Sequence, residues 1–369
     1  MQIHRLFIEN FRNHARTRLQ FGDRMNAILG DNGEGKTSII EAISYLCLTR
    51  SFYAATDAIA LQQGKEKFLL RGEFIGDGGT SWDVYVEYDS TAQKKTVSVN
   101  GTVEDPLSSV IGKFPAVILS PEQNGITFGA PAERRRFMDV VISQSSKVYL
   151  EELLEYRRVL RQRNKLLAEA KLQKRAPSSQ LTAWDDGLVS RGVKIMQRRR
   201  DFLEAVLPAV RENYGQLAGI QEKPSMTYLP SFEIEDWADV SSLEVLFRKA
   251  LEQSKESEGR SASTMVGPHR DDIDLRVDGL ELKHFASQGQ HKTFLIALKL
   301  AEFEYLKEVR RETPLFLLDD VFSELDERRG QHVVGLVGSS SQTFVTTTDE
   351  RVFERNLPWN GANRKFHIR

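Results

Sequence analysis

The densest chemistry in the chain lies at Gly30-Asp31-Asn32-Gly33-Glu34-Gly35-Lys36-Thr37, which fits G-x-x-x-x-G-K-[ST] position for position. Glycines in such a loop let successive backbone N–H groups turn inward around phosphates. Lys36 then reaches the β and γ oxygens, and the Thr37 hydroxyl takes a Mg²⁺ ion. A Gly-rich turn that binds nothing accounts for the glycines but not for Lys36 and Thr37 in register behind them. The expected ATP cradle runs from Gly30 through Ser38. Near the other end, Leu315-Phe316-Leu317-Leu318 leads straight into Asp319-Asp320. A carboxylate ending a buried strand is the Walker B arrangement, with Asp319 in the Mg²⁺ shell and Asp320 orienting an attacking water. Asp320 also reads as the cap of a following helical turn. The candidate catalytic residues are Lys36, Asp319 and Asp320, and the candidate metal ligands are Thr37 and Asp319.

Positioning these groups requires strands that end at the loops. Ile3–Ile8 and Met25–Leu29 are short apolar runs, and Thr37–Leu48 sets Ile39, Ile40, Ile43, Leu46 and Cys47 at helical spacing. Cys47, the only cysteine, belongs to that packed face. From Phe68 to Val103 the period becomes two, and Asn100-Gly101 supplies a type I′ turn, which predicts an antiparallel β lobe. Ala116–Leu119 and Thr343–Thr346 read as further strands, Pro131 as the first residue of a helix, and Asp278-Gly279 as a second hairpin turn. Gln290–Val309 is an amphipathic helix.

The middle of the chain has a different rhythm. Leu153, Tyr156, Leu160 and Leu167, then Leu188, Ile195, Phe202 and Val206, flank a break at Ala176-Pro177-Ser178-Ser179 and predict two antiparallel helices. Between Lys147 and Arg200, 14 Lys/Arg face 6 Asp/Glu, in a chain of net charge −1. Any polyanion must therefore bind locally, and Arg198, Arg199 and Arg200 are the candidate DNA contacts; a solvated helix face is the alternative. Arg134–Arg136 are less favoured, since a helix start can use them structurally. A hydrophobic fraction of 40% and a charged fraction of 28% exclude a disordered or collagenous chain. One cysteine excludes a disulfide framework or a multi-thiolate zinc site, and no apolar run approaches a membrane span. These features predict a soluble, cytoplasmic protein.

Ser287-Gln288-Gly289-Gln290 precedes the amphipathic helix and reads on its own as a capped helix start. In ABC-type ATPases a similar signature contacts the γ-phosphate held by the opposite subunit, and Ser323-Glu324-Leu325-Asp326 looks like the D-loop of that class. With Asn10-Phe11-Arg12-Asn13, Ser120-Pro121-Glu122, Glu133-Arg134-Arg135-Arg136-Phe137, Gly267-Pro268-His269-Arg270-Asp271-Asp272 and Thr346-Thr347-Thr348-Asp349, the whole chain resembles the RecF family of bacterial recombination mediators, relatives of the SMC-type ABC ATPases. The resemblance implies an α/β ABC/SMC-type head with an inserted helical arm and an ATP-dependent head-to-tail homodimer. It also implies binding to gapped or junction DNA and action with RecR, RecO and recombinase, and it suggests nucleotide contacts for Arg12 and Asn13, for which a surface loop is the alternative. The expected division is 1–145 with 262–369 for the ATPase domain and 146–261 for the arm. Asp320 stands where such cassettes usually carry Glu, which implies slow hydrolysis. Thr347-Thr348 stands in place of a switch histidine, and Glu122 or Gln123 is the candidate Q-loop ligand. Of the competing readings, a signalling GTPase lacks its Asn-Lys-x-Asp base reader, a transporter subunit suits the basic insertion poorly, and a non-catalytic SMC-like clamp is the runner-up.

Overall fold

The computed structural model describes residues 1–369 except 53–55, 175–179, 220–221, 235, 238, 322–329, 331–334, 336–340, 349–360 and 369. The chain forms two compact units, residues 1–124 with 296–369, and residues 125–295. These joins differ from the expected 145 and 262. The helix beginning at Pro131 packs on the arm helices, and the segment after 262 supplies strands to the arm's own small sheet.

The first unit opens with β1 (Gln2–Phe11), β2 (His14–Gln20), β3 (Met25–Leu29), α1 (Lys36–Leu48), β4 (Lys67–Ile75), β5 (Ser81–Asp89), β6 (Lys94–Val99), β7 (Thr102–Val103) and β8 (Ala116–Leu119). The second unit holds α2 (Pro131–Ser145), α3 (Lys147–Leu172), α4 (Gln180–Ala218), β9 (Pro224–Leu229), α5 (Val240–Ser261), β10 (Asp272–Val277) and β11 (Leu280–Glu281). Helix α6 (Gln288–Arg310) crosses the division, and β12 (Leu315–Asp319), β13 (Thr343–Thr347) and β14 (Arg364–His367) complete the first unit.

Two sheets position the P-loop. Strands β14-β3-β13-β12-β8 form a parallel sheet, and β2-β1-β4-β5-β6-β7 form an antiparallel one. Helix α1 packs against strands of both, which is why its apolar residues are not confined to one stripe: Ile39 through Leu48 is buried without interruption. Phe11, Tyr45 and Phe68 meet edge to face beside it. Both expected hairpin turns are present, with positive φ at Asn100-Gly101 and at Asp278-Gly279.

In the second unit α3 and α4 pair as the expected helical hairpin, and α3, at 26 residues, is about 39 Å long. Among the described residues no helix is long and apolar enough to cross a membrane. Of the elements named above, four escaped the sequence reading. Strand β2 carries Arg16 and Arg18 on an exposed face and little apolar alternation. Strands β9 and β14 are short, and α5 is polar around a narrow stripe of Leu243, Phe247, Ala250 and Leu251, with Asp239 capping its N-terminus.

Candidate functional site: a phosphate-binding loop facing paired carboxylates

Strand β3 runs into the Gly-rich loop, and β12 ends at Asp319 two strands away, with β13 between them. That order puts Thr346 of β13 beside Asp319. The Thr346 hydroxyl donates to Asp319 Oδ1 (2.6 Å), and Thr37 Oγ1 donates to the same oxygen (2.9 Å). The Asp320 N–H in turn donates to Thr346 Oγ1 (2.9 Å). Burial pushes the Asp319 carboxyl above its ordinary range, the two hydroxyl donors pull it back, and the charges of Glu122 and Asp320 add to the rise. Lys36 Nζ donates to the carbonyls of Gly30 (2.8 Å) and Asp31 (2.7 Å), and the Asp31 N–H donates to Glu34 Oε2 (2.5 Å).

The β1–β2 turn closes over this loop. Asn13 Nδ2 donates to the Gly33 carbonyl (3.2 Å), its Oδ1 accepts from Ser38 Oγ (3.2 Å), and His14 Nε2 meets the Gly35 carbonyl (3.1 Å). Burial lowers the His14 pKa, so a neutral ring donating through Nε2 to that carbonyl fits the contact. Gly35 sits at φ +98, and a Cβ there would lie 2.6 Å from the Asn13 amide and 2.7 Å from His14 Nε2. Arg12 is no loose surface side chain: its guanidinium forks onto Glu41 (2.7 and 2.8 Å), a buried carboxylate on α1 that also accepts from Ser51.

A cavity of about 620 Å³ results, lined by Arg12, Asn13, Lys36, Thr37, Asp319 and Asp320 among others, and all of its lining comes from the first unit. Hydroxyl and carboxylate oxygens meet on one wall and a lysine on the loop, a donor set that fits a nucleotide phosphate with a hard, partly hydrated cation. The sequence profile of the RecF/RecN/SMC N terminal domain family matches residues 2–363. A DNA replication and repair protein RecF from Chloroherpeton thalassium is 41% identical over 356 residues, 96% of each chain. The chain belongs to the RecF family. A solved structure titled as the recombination mediator protein RecF with ATP in the RecFOR pathway superimposes at a TM-score of 0.89 and 30% identity, covering 96% of this chain and 93% of that one. An Smc head bound to the C-winged helix domain of ScpA, 13% identical, shares the fold at a TM-score of 0.54 over 95% of this chain and 91% of its own. The fold is thus the ABC/SMC-type ATPase head.

The remaining RecF-type motifs are placed less simply. Ser287 and Gln290 form a reciprocal capping box at the start of α6, Gln290 N–H to Ser287 Oγ (3.2 Å) and Ser287 N–H to Gln290 Oε1 (2.8 Å), so the helix-cap reading of these four residues is realised. Gly289 offers its carbonyl to Thr293 Oγ1 (2.8 Å), while Ser287 and Gln288 are exposed. In the cap the Ser287 oxygen accepts, which leaves its hydrogen for an external acceptor. The D-loop candidate Ser323–Asp326 lies outside the described residues, as does Asp349. Glu122 lines the cavity and Gln123 does not; Thr347 is buried at the end of β13 and Thr348 is exposed.

The basic run 198–200 needs correction. Arg199 is 2% exposed, donating to Asp139 (2.8 Å), the Tyr149 hydroxyl and the Pro268 carbonyl (2.6 Å), so it is a core ion pair and no surface contact. Arg200 is half-buried over the Trp237 ring beside Asp201 and Glu204. Of the three, only Arg198 is exposed. On an α-helix three consecutive residues point about 100° apart, so a run of arginines cannot share one face.

Proposed function

We propose that the chain binds ATP with Mg²⁺ in this cavity, hydrolyses it slowly, and uses the bound nucleotide to pair two copies head to tail on DNA in gap repair and replication-fork maintenance, alongside RecR, RecO and recombinase. The observation that carries the reading is the hydrogen bond from Thr37 to Asp319, which joins the P-loop to the Walker B strand across 282 residues of sequence. The relatives named for DNA replication and repair, and the ATP-bound RecF, support the same reading.

In this mechanism Lys36 exchanges the Gly30 and Asp31 carbonyls for β and γ oxygens. Thr37 and Asp319 would hold the Mg²⁺, whose charge would offset that of the phosphates. Asp320, at the cavity wall with its N–H fixed by Thr346, orients the attacking water, and its short side chain limits the rate. Ser287 of a second copy donates its free hydroxyl hydrogen to the γ-phosphate. A non-catalytic clamp is the second reading, and the same short Asp320 favours it. Sedimentation velocity with ATP and Mg²⁺ tests the pairing: a monomer-to-dimer shift is expected, weakened by Ser287→Arg, and an unchanged mass at micromolar protein rejects the shared site. Phosphate release with and without DNA tests turnover; a wild type no faster than Asp320→Asn selects the clamp.

A further inference from the structure

Two motif segments are left unused by the nucleotide site, Glu133–Phe137 and Gly267–Asp272. In the second unit they converge on one cavity of about 180 Å³, lined by Arg135, Arg136, Arg157, Arg199, Asp139 and His269 among others. Four arginines and one aspartate thus line it. Asp139 is already committed: it accepts from Arg199 (2.8 Å), Arg157 (3.0 Å) and the Tyr149 hydroxyl (2.6 Å). His269 adds no charge, because its Nε2 must donate to the Thr264 carbonyl (3.0 Å) while Nδ1 accepts from the Tyr156 hydroxyl (2.7 Å), and burial holds its pKa down to about 4.

The remaining cations are poorly compensated. Arg135 has the Asp271 backbone carbonyl (2.7 Å) as its hydrogen-bond acceptor, and burial together with the Arg199 charge disfavours its cationic form despite Asp271 and Asp272 nearby. Arg136 makes no hydrogen bond or ion pair among the described residues, and Arg157 is half exposed with donors to spare. A cavity of this size holds roughly six waters, room for a phosphate. A phosphate monoester offers three terminal oxygens and nearly two negative charges, matching several guanidinium forks where a carboxylate would satisfy one.

We propose that this cavity is a binding site for a phosphate monoester, with Arg135, Arg136 and Arg157 as its ligands and Asp139 and Arg199 holding the frame. The group comes either from the phosphorylated end of a nucleic acid or from free inorganic phosphate; the nucleic-acid source rests on the DNA-binding reading, and the free-phosphate source does not. The test saturates the P-loop with Mg²⁺ and a non-hydrolysable ATP analogue. It then measures fluorescence anisotropy of a 3′-labelled oligonucleotide bearing a 5′-phosphate or a 5′-hydroxyl, and calorimetric titration of inorganic phosphate. Wild type is compared with Arg136→Gln and Arg157→Gln, surface changes whose folding is checked by circular dichroism. A preference of about tenfold for the phosphorylated end, lost in both variants, supports the site with a nucleic-acid source. Equal binding of both ends, with phosphate uptake lost in the variants, supports it with the free ion as ligand. Equal ends with no variant-sensitive phosphate uptake overturn it, while binding of the 5′-hydroxyl oligonucleotide reports separately on DNA binding itself.

Discussion

Thr346 ties the Asp319 carboxylate to the Asp320 backbone, since its hydroxyl hydrogen goes to Asp319 Oδ1 and its oxygen receives the Asp320 N–H. Burial raises the Asp319 pKa and the Thr346 hydrogen bond opposes the rise. In the proposed site a proton on Asp319 would compete with Mg²⁺, so Mg²⁺–nucleotide affinity should fall as pH drops toward the raised carboxyl pKa. Thr346→Val removes the opposing donor, leaves shape nearly unchanged, and should move that fall to higher pH; titrating nucleotide affinity from pH 5 to 8 with and without Mg²⁺ checks it, and superimposable profiles would reject the linkage. Arg199 gives a second expectation. Arg199→Gln removes the buried guanidinium from Asp139, leaving it Arg157 and the Tyr149 hydroxyl, and should cost about 3 kcal/mol of stability in urea unfolding; a loss under about 1 kcal/mol would reject the core-pair role.

At the scale of elements, the β1–β2 hairpin acts as a brace on the P-loop through Asn13 and His14. Gly35→Ala adds a Cβ into that brace and at a left-handed φ, so nucleotide binding should be lost even with Lys36 and Thr37 intact. Asn13→Ala removes one contact to the loop and one to Ser38 and should weaken nucleotide affinity several-fold; fluorescent-nucleotide titration of both variants checks the order, and a fully active Gly35→Ala would show that the brace opens on binding. The contrast with the P-loop explains what was legible in the sequence. The loop and the Walker B strand are each one unbroken run of sequence, and their chemistry fixes residue type at every step, so they could be read directly. His14 and Thr346 each supply one polar group from a separate element, brought in by the hairpin register and by the strand order β3-β13-β12, while Glu41 enters from α1; Thr346 lies within one of the motif runs, but no local spacing gives any of the three its role. Strand β2 and helix α5 were missed for a related reason: each buries only a narrow apolar stripe, and the polar majority of residues hides it.

Across the whole molecule the proposed DNA binding asks how a chain of net charge −1 would hold a polyanion. Much of the arm's positive charge is neutralised within the arm, since Arg158 pairs with Glu155, Lys194 with Glu152, Arg163 with Asp185 and Glu258, and Arg199 with Asp139. Arg161, Lys174 and Arg198 stand exposed on the hairpin and its turn. Each phosphate neutralised adds about 0.9 to the magnitude of the log K against log salt slope, so three contacts per copy give a slope too shallow for tight binding by one copy and about twice that for a pair. ATP-dependent pairing would then act as the switch for DNA affinity, because it doubles a weak surface without any new contact. Replacing Arg161, Lys174 and Arg198 together by Gln should flatten the slope by up to about 2.7 per copy and weaken binding alike on all sequences, while the ATP-driven dimer persists in sedimentation. A slope unchanged in the triple variant would move the DNA-binding surface off the arm altogether.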